Sequence, residues 1–545
     1  MNRTHAARSS RRSVPVYREV YQRIRSEILS GRLAAGARLP SSRTLAAELG
    51  IARGTVVTAF QMLAGEGYTS SAGARGTVVN VALPRVRKLR PTAELVETGE
   101  HHRTVRTPPT PLLFQVGLPA LDVFPRKLWT QIVVRVARQL DHEQMVNPNL
   151  HCGMGYEPLR LAIASYLRIA RDITCSADQI LITAGFQGAL GLIIQALLKP
   201  GVKVWVEDPG YVSARNLLQQ AQLGLVGVRI DDGGLDVTAA VRSAPDARLA
   251  LVTPSHQYPL GMTLPVERRL ALLDWADRER AWIVEDDYDG EFHHRGLPPP
   301  ALKSLDRRGR VLYVGSFSKV LFPGLRLGYL VLPSAVAERF ARVASAALPT
   351  PPIMVQKSVE FFMSQGYFAR HLSRMRTLYT ERRKALAAAI ESSMKRHVEV
   401  RLQDGGMHFV AWLRGGLGDS EIVEHLRRKG IGPASLSRCS LKASGHNGLM
   451  IGYTNVAKGK CSVGDTPVAG RNASGSVIRY SEVVSAVQRS AAVKGSGRRL
   501  HEQRDHLKVQ DARSADLRRE RWHAHVDKRI RPGSPNSTQR AVPLR

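Results

Sequence analysis

In the stretch SFSKVLFPGLRLGY, Lys319 stands in a serine-rich, glycine-punctuated loop behind the apolar run VLYVG, and Arg326 follows seven positions later. A lysine amine can attack an aldehyde. With an ordinary pKa of about 10.4 it is protonated near neutrality, so it needs desolvation or a neighbouring cation to react. Arg326 can supply that field while its guanidinium grips a phosphate, and the hydroxyls of Ser316 and Ser318 can donate to the same oxygens. A loop lysine by itself is far more often solvated than reactive. The chemistry therefore depends on what accompanies it.

Three further stretches do. In AWIVEDDYDGEF an apolar run ends in Glu285, Asp286 and Asp287 before Tyr288, and carboxylates at a strand's carboxyl end lie where α/β folds bind ligands. A buried aspartate there can keep a pyridine nitrogen protonated, and a tyrosine hydroxyl can bond a ring phenol oxygen; a metal-binding or merely solvated acidic turn fits the same residues. ILITAGFQGAL reads as a strand running into a helix, with the amides of Gly185, Phe186 and Gln187 at the positive end of the helix dipole, a cradle for phosphate. Alone it is a common strand–turn–helix. VEDPGYVSAR turns on Asp208, Pro209 and Gly210 and presents Tyr211, a ring that can stack on a flat ligand or simply pack in its turn.

The elements that must position these residues alternate in type. From Leu112 to Val456 apolar runs such as QILIT, VKVWVE, RLALVT and RVLYVGS alternate with helical stretches such as FQGALGLIIQALL and VERRLALLDWADRER, which predicts an α/β domain with a largely parallel sheet. At 545 residues the chain exceeds one ordinary core and predicts several folding units. Residues 14–79 form a compact glycine-punctuated segment, 80–111 a Pro-, Thr-, Arg- and His-rich linker, 112–493 the large domain with an irregular insertion at 457–476, and 494–545 a basic, disordered tail. The four cysteines, Cys152, Cys175, Cys439 and Cys461, show no CxxC spacing, so neither a zinc site nor a disulfide framework is indicated. No apolar run is long enough for a membrane span or a signal peptide, and a cytoplasmic protein is expected. A net charge of +33 favours a polyanionic partner without deciding between DNA, RNA and an acidic membrane surface.

The amino-terminal segment narrows that choice. Tyr17, Val20, Ile24 and Ile28 recur at helical spacing up to a stop at Gly31; LPSSRTLAAELG predicts a short helix capped by Ser41 or Ser42 that buries Leu45 and Leu49; IARGTVVTAFQMLAGEG predicts another with Val56, Phe60 and Leu63 on one face. Two short helices joined by a tight turn make a helix-turn-helix. The second should begin near Arg53, leaving Arg53, Gly54, Thr55 and Thr58 at the end that meets bases and phosphates. TSSAGARGTVV reads as a hairpin with Arg75 and Gly76 at its tip, a wing for the minor groove. A single arginine here is more often a solvated surface charge; the assembled pattern is what favours DNA.

The run Tyr17 to Val79, centred on LSGRLAAGARLPSSRTLAAELGIARGTVVTAFQMLAGEGY, closely resembles the winged helix-turn-helix of the GntR superfamily. That resemblance implies double-stranded operator DNA as a partner, contacted by Arg38, Arg43 and Arg53, with Thr55 and the Gly76 region at phosphate and wing; Ala52 stands where many relatives have serine. The four stretches of the large domain, in their order, resemble fold-type-I aminotransferases from about Phe114 to Val456, and with TPSHQYPLG and EDDYDGEF beside the GntR-like head the likeness narrows to the MocR family. The implied fold is a small α+β winged helix-turn-helix joined to a large α/β transferase-like domain. The resemblance further implies pyridoxal 5'-phosphate, with Lys319 as its aldimine partner, Asp286 at the pyridine nitrogen, Tyr288 at the phenolic oxygen, Arg326, Ser316 and Ser318 on phosphate, and Tyr211 stacked on the ring. It also implies a homodimer with each DNA reader packed on the partner's large domain.

The chain departs from that pattern where a late strand usually carries an arginine for a substrate carboxylate. HNGLMIGYTNV has Leu449 and Met450 there, and Arg215 and Arg438 are the candidates to replace it. HCGMGYEPLR also lacks the acidic, proline-containing lead usual in such proteins. The expectation is a transcription regulator that senses an amine or amino-acid effector by aldimine exchange. Its rivals are a working aminotransferase with a regulatory head, and a constitutive DNA-binding dimer whose large domain is a scaffold.

Overall fold

The computed structural model describes residues 15–73, 76–80, 111–146, 153–296, 300–347, 350–414, 418–441 and 445–456. Arg75, most of the linker, the insertion at 457–476 and everything after it lie outside the described residues. The chain divides into two compact units, Met1–Arg106 and Thr107–Arg545.

In the small unit the apolar spacing becomes three helices. Val20, Ile24 and Ile28 are the buried stripe of α1 (Val16–Leu29). Helix α2 (Ser42–Leu49) starts at Ser41, whose hydroxyl accepts from the Thr44 amide at 3.1 Å, and stops at Gly50 with φ of 63°. Helix α3 (Arg53–Gly65) buries Val56, Ala59 and Leu63. Leu45, Leu49 and Phe60, expected inside, are only half-buried, and Ala46 is the covered residue of α2; a unit this small has too little interior to enclose every apolar side chain. Strands β1 (Thr69–Ser71) and β2 (Thr77–Val79) pair antiparallel, Thr69 opposite Val79, as the wing.

The large unit is built on eight strands: β3 (Ile180–Thr183), β4 (Lys203–Asp208), β5 (Gly224–Asp231), β6 (Gly234–Leu235), β7 (Leu249–Val252), β8 (Trp282–Asp287), β9 (Val311–Ser316) and β10 (Gly328–Val331). Their spatial order is β3-β10-β9-β8-β7-β4-β5-β6. Strands β9, β8, β7, β4 and β5 are parallel; β10 lies antiparallel between β3 and β9, and β6 is a short antiparallel edge. The central strands carry continuous apolar runs, interrupted by acids at their carboxyl ends, because both faces are covered; on one face Trp205 of β4 stacks on Trp275 of the helix Val266–Arg278 at 3.8 Å between ring centres. A second sheet, β11 (Val398–Arg401), β12 (His408–Leu413), β13 (Ala434–Ser435) and β14 (Gly448–Gly452), is antiparallel in the order β11-β12-β14-β13 and follows the long helix Tyr367–Met394.

From β4 the chain passes to β5 on one side and later to β7, β8 and β9 on the other. Ligands of α/β sheets bind at the carboxyl ends of strands beside such a reversal. Asp208, Asp287 and Ser316, the last residues of β4, β8 and β9, all lie at that end of the sheet.

No helix among the described residues is long and apolar enough to cross a membrane, and no group of His, Cys, Asp and Glu among them could hold a metal ion. Removing the one side-chain cap of the helix-turn-helix, Ser41→Ala, is expected to cost the small unit about 1 kcal/mol. Calorimetry should show its unfolding transition lowered and that of the large unit unmoved.

Candidate functional site

Strand β8 sorts its acids by alternation, since successive side chains point to opposite faces. Glu285 accepts from the Leu302 and Lys303 amides at 2.8 and 2.7 Å. Asp287 sits 2.7 Å from the Arg171 guanidinium and accepts from the Tyr313 hydroxyl at 2.6 Å, both carboxylate and guanidinium buried. Asp286 and Tyr288 take the other face, towards Lys319. Burial, then the charges of Asp287, Asp289 and Glu207, push the Asp286 carboxyl well above its ordinary range, and the Lys319 charge works against them.

Lys319 lies three residues past the end of β9, and its Nζ donates to the Gly117 carbonyl at 3.2 Å. A Cβ on Gly117 would stand 2.5 Å from that nitrogen, so the backbone approaches the amine as only glycine allows. Burial pulls the Lys319 amine below its usual pKa, while Asp289 and Asp286 oppose the fall. Of the two influences the sequence leaves open, desolvation or a neighbouring cation, burial is the one that lowers the Lys319 amine. Arg326 instead donates to the Gln187 side chain at 3.3 Å, at the start of the helix Gly185–Leu197. It holds φ of 48° and ψ of 38°, a left-handed backbone that a non-glycine residue adopts at a cost and that marks functional sites.

Gly185, Phe186 and Gln187 open that helix, and Ala184 before them offers no side chain to cap their amides. Gly185 has φ of 72° and open space where a Cβ would be. Gly328 of β10 pairs with both Thr183 and Ser316, which brings the exit of β3 alongside the exit of β9. Ser316 accepts from the Ser318 amide at 3.2 Å, tightening the turn into Lys319. Tyr211 keeps 37% of its surface exposed and meets Phe186 and Tyr258 edge-on, with ring centres 5.7 and 5.4 Å away. The predicted residues of the large unit thus gather at the carboxyl end of the sheet.

Four residues that the sequence reading does not single out join them: Gly117, His256, Asp289 and His408. The Tyr288 hydroxyl and His256 Nδ1 share a hydrogen bond of 2.8 Å, and the His256 ring meets that of His408 at 5.7 Å. His256 stands in TPSHQYPLG and Asp289 directly after Tyr288, so two of the four were visible as polar residues inside quoted motifs. Gly117 and His408 carried no such signal. The proposed replacements for the missing arginine do not serve as such: Arg215 is buried and donates to the carbonyls of Cys439 and Arg438 at 2.8 and 3.1 Å, and Arg438 points to the surface. Leu449 and Met450 are buried in β14.

On the small unit, Arg53 opens α3 with an exposed side chain whose Nε lies 3.4 Å from the Ser42 hydroxyl. Arg43 is exposed on α2 and Thr55 half-buried on α3. Arg38 lies against the wing, its Nε 3.3 Å from where a Gly76 Cβ would be. The Thr58 hydroxyl is turned back onto the Gly54 carbonyl at 3.0 Å.

Residues 16–79 match the family of bacterial regulatory proteins named gntR, and residues 130–431 match aminotransferase class I and II. The probable rhizopine catabolism regulatory protein MocR of Rhizobium meliloti is 37% identical over 452 residues, covering 81% of this chain and 91% of that one. The chain belongs to the MocR family of helix-turn-helix transcriptional regulators. Another relative, the HTH-type pyridoxine biosynthesis transcriptional regulator PdxR of Corynebacterium glutamicum, is 32% identical over 443 residues, covering 81% of this regulator and 92% of its own chain. Among solved structures, kynurenine aminotransferase of Pyrococcus horikoshii in complex with PMP aligns with a TM-score of 0.60 at 24% identity, over 71% of this chain and 92% of that one. LysN of Thermus thermophilus, complexed with N-(5'-phosphopyridoxyl)-L-leucine, gives the same TM-score and identity over 70% and 92%. These two likenesses establish the fold of the regulator's large unit.

With its guanidinium exposed at the head of α3, Arg53→Ala is expected to weaken binding to the operator by about 1–3 kcal/mol and to leave the melting temperature unchanged. Fluorescence anisotropy on specific and random duplexes checks this. An equal loss on both would remove Arg53 from base reading.

Proposed function

We propose that the regulator holds pyridoxal 5'-phosphate on Lys319 and senses an amine or amino acid that competes with Lys319 for it, the outcome setting how its winged helices engage operator DNA. The observation that carries this is the desolvated Lys319 amine set between Asp286 and the uncapped helix start where Arg326 meets Gln187. Each part fits the cofactor. The free amides of Gly185, Phe186 and Gln187, with Arg326, Ser316 and Ser318, suit a phosphate. Asp286, held high by burial and like charges against the pull of Lys319, would be stabilised as a carboxylate by a pyridinium N–H. Tyr288 would face the phenolic oxygen and Tyr211 would cover the ring.

Bound there, pyridoxal phosphate supplies an aldehyde that condenses reversibly with amines. The protein's own residues do the rest. Desolvation keeps a share of Lys319 neutral and nucleophilic, and the Gly117 carbonyl orients its Nζ. His256 fixes the Tyr288 hydroxyl. A ligand switches the regulator only through a difference in affinity for two states of the protein. Arg215 being spent on backbone carbonyls favours sensing over efficient turnover of α-amino acids. The regulator would work in the cytoplasm as a homodimer, two readers matching two half-sites. Exposed Met145, Val146, Leu161 and Ile169 offer the large unit apolar surface to bury against a second copy.

After incubation with pyridoxal phosphate and dialysis, wild type should keep a chromophore that borohydride fixes on the Lys319 peptide, and Lys319→Ala should keep none. If neither keeps it, the large unit is a scaffold. Gly117→Ala, which places a methyl on Nζ and costs roughly 1–2 kcal/mol in the left-handed backbone, is expected to fold yet take up far less cofactor by the same absorbance measurement.

A further inference from the structure

Asp289 is a buried carboxylate without a hydrogen bond. It is 1% exposed, and neither of its oxygens has a hydrogen-bond partner among the described residues. His256 Nδ1 lies 3.2 Å from Oδ2 and is shared with the Tyr288 hydroxyl at 2.8 Å, so a neutral imidazole leaves the carboxylate's charge uncompensated. A Cβ on Gly406 would stand 2.0 Å from the His256 Cε1 and one on Gly261 2.9 Å from its Nε2, so the ring is wedged between two glycines. A carboxylate removed from water and left unpaired costs several kcal/mol unless a cation meets it.

The charges around Asp289 identify that cation. From its own turn it is faced by Asp286, Tyr288 and Glu291, none of them positive. From the packed elements it is faced by His294 and His408, both pushed down to about 4 by burial, and by Tyr453. His256 also faces it, at 3.2 Å, and pairs with it only when protonated; the lysine that faces it is Lys319, and among the charges that stabilise that ammonium Asp289 comes first and Asp286 second. Of the three protons of that ammonium the Gly117 carbonyl accepts one.

We propose that Asp289 receives the Lys319 ammonium once an effector amine has displaced Lys319 from the cofactor, which makes it a positioning residue of the sensing cycle. This rests on the cofactor reading above, in which Asp286 is committed to the pyridine nitrogen and is not free to take the lysine. In the exchange the carbon–nitrogen bond to the effector forms and the bond to Lys319 Nζ breaks. Between protonated imines the effector's ammonium gives up two protons, both of which end on Nζ, and nothing is oxidised or reduced. Asp289 holds the charge that has moved from effector to protein and so stabilises the effector-bound state. The buried carboxylate that is a liability in isolation becomes half of an ion pair only when the signal is present.

The test begins with full-length protein freed of cofactor by dialysis against hydroxylamine. Trace acetylation of Lys319 with acetic anhydride is followed against pH by peptide mass spectrometry. A carboxylate that holds the ammonium raises the midpoint, so Asp289→Asn and Asp289→Ser are expected to lower it by about one pH unit, roughly tenfold in the ammonium fraction at a given pH. A purely structural Asp289 would change the melting temperature and leave the midpoint in place. Coincident midpoints in either folded variant overturn the proposal. In the loaded protein, displacement by ethylamine, followed by absorbance, is expected to need about tenfold more amine in Asp289→Asn, and an unchanged half-point overturns it as well. Failure of wild type to retain cofactor would defeat the cofactor reading and this role with it. It is distinguishable from a failure of Asp289 alone, because the acetylation arm uses no cofactor.

Discussion

The buried ion pair between Arg171 and Asp287, 2.7 Å apart and backed by the Tyr313 hydroxyl, anchors the end of β8. Breaking such a pair by removing one partner leaves an uncompensated charge in a dry interior, a loss of about 3–5 kcal/mol. With Asp287 and Glu285 tied to one side of the strand, the pleat obliges Asp286 and Tyr288 to face the other. The position of the site thus depends on residues that have no part in its chemistry. Arg171 follows the helix Glu157–Ala170, outside every motif of the pocket, and still decides which carboxylate Lys319 meets.

The pocket sets two opposing effects on one amine. Desolvation favours neutral Lys319, which can react; Asp286 and Asp289 favour the ammonium, which cannot. Desolvation wins, because taking a charge out of water is costly whatever its neighbours, and a carboxylate in the same dry setting is partly neutralised too, as Asp286 is. A sensor benefits from that arrangement: the resting and signalled states differ in which nitrogen holds the cofactor and in which carries the freed ammonium, and each state has residues that satisfy it.

The DNA-reading unit follows a different economy. Its core is small, half its apolar residues remain partly exposed, and its order depends on local devices: the Ser41 cap, the glycine stop at Gly50, and a two-stranded wing. Its arginines Arg38, Arg43 and Arg53 stay exposed, as suits side chains that must reach a polyanion. The large unit invests in desolvation, where electrostatic differences are large; the small one keeps its charge in water, where contacts form and release readily.

Helix positions of the small unit, the strand–helix alternation of the large one and the residues Lys319, Asp286, Tyr288, Arg326 and Tyr211 are legible in the sequence, because apolar periodicity and local motifs are short-range properties that neighbouring residues determine between them. The head's arginines Arg38, Arg43 and Arg53 are legible for the same reason. What the tertiary structure alone decides is which groups meet across long stretches of chain. It turns Arg215 inward onto the carbonyls of Arg438 and Cys439, brings Arg326 to Gln187 at the start of a distant helix, and brings Gly117 to the Lys319 amine across 202 positions. It also leaves Asp289 dry and without a hydrogen bond. Desolvation belongs to the whole packed environment rather than to any residue, so no spacing in the sequence records it.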